Sequence, residues 1–142
     1  MAPSASAISR LNQENAQQFK AWRERPLQAH WRILYLDGIH FDVRHGDQVD
    51  AIMILVALGV DLAGNKEVLA ALACAEEDKD GWLCVLQDLR TRGAIQMDLI
   101  VTDGHDGLLA AVSDLFGATP RQRWRLAQAA QCLACRPQAR AP

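Results

Sequence analysis

The chain has 142 residues, half of them hydrophobic, with 15 Lys and Arg set against 17 Asp and Glu. That length and that much apolar material suffice to bury the core of one domain, so composition excludes a disordered chain. The longest apolar stretch, Ala51 to Val60, is too short to cross a bilayer, and the Met-Ala-Pro-Ser-Ala-Ser-Ala start lacks the charged and apolar regions of a secretory signal; both point to a cytoplasmic protein with no membrane partner. In chain order, Ile8, Leu11, Phe19 and Trp22 recur at helical spacing and predict an amphipathic helix from about Ile8 to Arg25, capped by Ser6 or Ser9 and ended by Pro26. Arg32 to Arg44 is apolar and then alternating, as in a strand buried on both faces that becomes half-exposed. After the His45-Gly46-Asp47 turn, Asp50 to Asp61 predicts a second strand, and Asp61-Leu62-Ala63-Gly64-Asn65 a reversal into a third from Lys66 to Cys74.

Beyond Glu76-Glu77-Asp78 the period changes. Trp82, Val85, Leu86 and Leu89 share one helix face, and Gly93 stands where that helix should stop. Met97 to Thr102 then predicts a short buried strand, and Asp106 to Phe116 a last helix. Three strands in a meander, then strand and helix in alternation, predict an α/β mixed sheet with flanking helices. A right-handed crossover through the Trp82 helix would lay the Met97 strand parallel to the first strand.

That topology gives meaning to two strings. Tyr35-Leu36-Asp37-Gly38 and Val101-Thr102-Asp103-Gly104 each end an apolar run in a carboxylate followed by glycine. On neighbouring parallel strands the two acids would converge at one sheet edge, where oxygen ligands suit Mg²⁺. Two such ions about 4 Å apart serve phosphodiester displacement, and the glycines are expected to leave room for a phosphate backbone. Spacing alone leaves the competing reading open, because Asp-Gly is a common turn and a strand-end Asp often caps the next helix.

Further segments carry a resemblance. Tyr35-Leu36-Asp37-Gly38-Ile39, the run from Ala57 to Leu69, Gly81-Trp82 with Leu89-Arg90-Thr91-Arg92-Gly93, and Val101-Thr102-Asp103-Gly104 closely resemble the catalytic core of Mutator-type bacterial insertion-sequence transposases. Trp22-Arg23-Glu24-Arg25-Pro26-Leu27 is similar to the segment before the first catalytic strand of that family, and the likeness runs in order from about residue 8 to residue 123. It implies an RNase H-like fold and DNA cleavage with strand transfer, using two aspartates and a glutamate that bind Mg²⁺ or Mn²⁺. It also implies DNA partners, namely element ends and target, and a homo-oligomer or full-length transposase as protein partner. Asp37 and Asp103 match the first and second acids as catalytic residues and metal ligands. No acid follows Asp114 to serve as the third, so the chain is expected to be truncated and inactive alone. A non-catalytic fragment that binds DNA or transposase and regulates the intact enzyme is the alternative.

The expected organisation is a lead-in helical segment at 1–30, a truncated catalytic core at 31–123 and a basic, disordered tail at 124–142. In that tail Arg125, Arg136 and Arg140 occur without an acid, and Ala127 to Pro137 departs from the family in a way that a frameshift near codons 121 to 127 would explain. Cys132 and Cys135 lack the second pair that a closed zinc site needs. His105 is expected to be a polar loop histidine, Asp106 a helix cap, and His40 and Asp42 solvent-facing. Trp22, Trp31 and Trp82 are read as core.

Overall fold

A computed structural model describes residues 4–124 of the chain. Ser4 caps the first helix, α1 (Ala5–Glu24), with its Oγ accepting from the Ala7 N–H. The start precedes the expected Ser6 and Ser9, because Ala5 and Ala7 are strong helix formers that extend the helix back to the first available cap. The expected apolar stripe is present on α1, yet none of its residues is buried. Ile8, Leu11 and Phe19 are all about half exposed, and Trp22 is half-buried, with its ring 5.4 Å from Phe19 and under the Arg25 guanidinium. Trp22 is therefore no core residue, unlike Trp31 and Trp82, which are.

The alternating runs make β1 (His30–His45), β2 (Gln48–Val60) and β3 (Lys66–Cys74), paired antiparallel in order. At the β2–β3 reversal, Asp61 accepts from the Asn65 backbone and side-chain N–H groups, while Gly64 takes a positive φ of 93°. Asp78 caps α2 (Lys79–Thr91) through the Gly81 N–H, and Gly93, at φ 112°, follows its end as expected. The chain then forms β4 (Gln96–Thr102), parallel to β1, and α3 (Asp106–Phe116). A short strand, β5 (Arg121–Arg123), pairs parallel with β4 and was not expected.

The sheet order is β3-β2-β1-β4-β5. This is the mixed sheet anticipated, a three-strand meander with a parallel strand beside the first, extended by one strand at the edge. Along β1 successive side chains alternate in face. Leu34 and Leu36 enter the core with Leu55 and Ile100 of the sheet, Trp82, Val85, Leu86 and Leu89 of α2, and Leu108, Ala111 and Val112 of α3. Tyr35, Asp37 and Ile39 occupy the other face, where Ile39 and Phe41 remain exposed.

Two arginines fasten α1 to this sheet. Arg92, 6% exposed at its side chain, donates to the Arg25 and Leu69 carbonyls and to Asp88, and Arg25 pairs with Glu67. The Leu27 N–H in turn donates to the Arg92 carbonyl, so the segment entering β1 is held by the residues that end α2. Among the described residues no helix is long and apolar enough to cross a membrane, and Cys74 and Cys84 are free thiols. Cys132, Cys135 and the arginines of the tail lie outside the described residues.

Candidate active site

The β1–β4 ladder ends at the pair Leu36 and Thr102. Asp37, midway along β1, and Asp103, one residue past β4, each follow that pair, so both carboxylates stand just beyond the same end of the parallel ladder. They line one cleft of about 640 Å³, walled by Tyr35, Val56, Leu58 and Val101 and rimmed by Lys66 and Trp124. Of the two acids only Asp103 follows the carboxyl-terminal end of its strand, a usual place for a ligand crevice, while β1 runs on to His45.

Electrostatics agrees with the proximity. Loss of hydration raises the pKa of the Asp37 carboxyl above its ordinary value, repulsion from Asp103 raises it further, and the Gly38 N–H partly offsets both. Asp37 is an exposed residue overall, so the apolar cleft wall desolvates one side of its carboxylate while the other stays wet.

The glycine after each acid serves a purpose other than the one expected. A Cβ on Gly38 would come within 2.8 Å of Glu77 Oε2 and 3.2 Å of the Met53 sulfur, so the space is taken by protein. At Gly104, whose φ is +91°, a Cβ would lie 2.5 Å from Arg123 Nε. Neither glycine holds space open for a phosphate backbone. Gly38 admits Glu77 on the face of β1 opposite Asp37, and Gly104 admits Arg123 against the Asp103 carbonyl.

Glu77 was missed as a site neighbour. Its side chain is 12% exposed, accepts from the Trp82 indole N–H at 3.0 Å and lies 3.8 Å from His105 Nδ1. The run Glu76-Glu77-Asp78 reads as turn punctuation, and only the fold brings its middle member under Gly38. His105 itself is exposed and is the N-cap residue of α3, with no side-chain capping bond. Asp106 is thus the first helical residue and not the cap; its charge faces the positive end of the helix dipole. His40 and Asp42 are exposed, as expected.

Two acids of the expected set are together, and among the described residues no group of three metal-ligating side chains gathers anywhere. The donor chemistry of the pair, carboxylate oxygens left in mutual repulsion, fits a hard divalent cation.

The family model described as Transposase, Mutator family, matches residues 1–142. The transposase for insertion sequence element IS1081 of Mycobacterium tuberculosis (strain ATCC 25618 / H37Rv) is 34% identical over 135 residues, covering 94% of this chain and 32% of that protein. The transposase for IS6120 of Mycolicibacterium smegmatis is 36% identical over 140 residues, covering 98% of this chain and 43% of that one. The chain spans about a third of the length of the curated relatives it matches. Among solved structures, a cryoEM structure of the simian T-cell lymphotropic virus intasome in complex with PP2A regulatory subunit B56 gamma aligns at a TM-score of 0.46 and 14% identity, covering 78% of this chain and 41% of that one. With a match along its whole sequence and these relatives, the chain belongs to the Mutator family of insertion-element transposases.

Proposed function

We propose that this chain carries part of the catalytic centre for DNA cleavage and strand transfer, with Asp37 and Asp103 as the ligands of Mg²⁺ or Mn²⁺. The observation that supports this most is their register: each acid follows the last paired residue of two adjacent parallel strands. When bound, a divalent cation would supply Lewis-acid stabilisation of charge at the phosphodiester and a more acidic attacking hydroxyl. The residues of the chain do the rest. Asp37 and Asp103 concentrate negative charge at one point of the cleft, and Lys66 on its rim offers an ammonium to a DNA phosphate. Tyr35, Val56 and Leu58 exclude water from one side of the acids.

In this reading residues 31–123 form the core, 1–30 the lead-in and 124–142 a basic tail whose first residue, Trp124, is bonded to β4. Among the described residues two carboxylates gather without a third metal-ligating side chain, and in this reading those residues by themselves join no DNA. The same shortfall favours a second reading, in which the chain pairs with an intact transposase and lowers its activity.

The test is calorimetry with Mn²⁺ beside a strand-transfer assay on element ends in Mg²⁺. The expected result is one Mn²⁺ site, lost in Asp37→Asn and in Asp103→Asn, with no joined product from the chain alone. Binding of Mn²⁺ that survives both substitutions would overturn the assignment. A drop in product when the chain is added to a full-length relative would support the regulatory reading.

A further inference from the structure

Asp103 lies one residue past the end of β4, on an exposed loop, beyond the reach of the β1–β4 ladder. Its carboxylate Oδ1 accepts from the His105 N–H at 2.9 Å, which fixes the side chain relative to its own loop. On its far side the loop runs into α3, where the His105 carbonyl accepts from the Leu109 N–H at 3.0 Å. Arg123 ties the loop to the edge of the sheet.

The arginine is anchored by its own backbone. It pairs with Thr102 in the β4–β5 ladder, and the next residue, Trp124, donates its N–H to the Thr102 carbonyl at 2.7 Å. From there its side chain reaches across Gly104 and donates from Nε to the Asp103 carbonyl at 3.0 Å. The contact depends on residue 104 having no side chain, since a Cβ there would also lie 3.0 Å from Arg123 Cδ and Cζ. A flat guanidinium over a glycine with positive φ is a fit that a lysine cannot copy. Arg123 is exposed, so burying a core is not its task.

We propose that Arg123 is the positioning residue of the second acid: laid over Gly104 and bonded to the Asp103 carbonyl, it sets where the Asp103 carboxylate stands relative to Asp37. The inference deepens the cation reading above and rests on it. Arg123 touches neither carboxylate, so it acts through the loop backbone alone.

The experiment is amide hydrogen exchange by NMR on the full chain, combined with Mn²⁺ calorimetry, for Arg123→Ala, Arg123→Lys and Gln122→Ala. Arg123→Ala should speed exchange at the His105 amide by about tenfold, the effect of losing one modest hydrogen bond, and weaken Mn²⁺ binding by about the same factor. Amides of Leu36 and Gly38 should stay as protected as in the wild type. Arg123→Lys should leave both defects in place, and Gln122→Ala should match the wild type. Unchanged His105 exchange in Arg123→Ala would overturn the proposal, as would full restoration by lysine, which would reduce the effect to charge. Equal loss of protection along β1 would overturn it too, because Arg123 would then prop the fold and not the loop. A wild-type chain that binds no Mn²⁺, but whose His105 exchange still responds to Arg123→Ala, would remove the cation reading and leave the placement of the loop standing.

Discussion

Asp37 and Asp103 meet just beyond the end of the β1–β4 ladder but are held there by different means. Asp37 lies inside a ladder, paired with Val56 of β2 and followed in β1 by further paired residues, with buried Leu36 beside it. Asp103 lies past the end of its strand and relies on an Asx-type bond to His105 and on Arg123 over Gly104. The first acid shares the stability of the whole sheet, and the second has a local stability of its own. A site assembled in this way keeps one ligand fixed and lets the other be adjusted by contacts that cost the fold little.

The largest effect should come from the core under Asp37. Leu36→Ala removes a side chain only 2% exposed and should lower the unfolding free energy by about 2–5 kcal/mol in a denaturant titration. By contrast Arg123→Ala should cost less than about 1 kcal/mol in the same titration. Equal losses would erase the contrast between the two acids.

Next comes the entry to β1. Arg92→Ala removes donors to the Arg25 and Leu69 carbonyls and to Asp88 and should destabilise by about 1–3 kcal/mol. Exchange at the Leu27 amide, bonded to the Arg92 carbonyl, should rise more than exchange at His105.

Asp37→Asn works in the opposite direction and should raise the thermal midpoint at neutral pH by an amount worth less than about 1 kcal/mol, since the group is exposed. The sign follows from linkage. The folded pKa is raised, by lost hydration first and by Asp103 second, so the ionised carboxylate costs stability above that pKa. The gain from asparagine should fade as pH falls through the raised value and vanish below the ordinary carboxylate range.

The smallest effect belongs to the β2–β3 reversal. Hydrogen bonds from Asn65, side chain first and backbone second, hold the Asp61 pKa below its usual value. Its contribution is therefore present above the ordinary carboxylate range and is lost as pH falls through the depressed folded value. Asp61→Ala should lower the midpoint slightly at neutral pH, and the difference from wild type should close in acid.

The elements were legible where period was strong. Lys66–Cys74 and Asp106–Phe116 form as their apolar patterns require, and Trp82, Val85, Leu86 and Leu89 share the buried face their spacing predicts. β5 was not legible, because its three residues are all exposed and have no alternation; pairing with β4 creates it. Trp22 was misassigned because an amphipathic stripe reveals a face without revealing what covers it. The acids at 37 and 103 could be read because a strand followed by Asp-Gly leaves a local mark. Glu77 under Gly38 and Arg123 over Gly104 could not, because they arrive from distant parts of the chain and depend on room that a glycine leaves.

The most direct test of a shared cation is paramagnetic broadening by Mn²⁺ in amide spectra of the wild-type chain. Sub-stoichiometric Mn²⁺ should broaden Gly38 and Gly104 together, before signals elsewhere, and the effect should disappear from both glycines in either Asp37→Asn or Asp103→Asn. Broadening of one glycine without the other, or of both in the variants, would contradict the claim that the two carboxylates hold one ion between them.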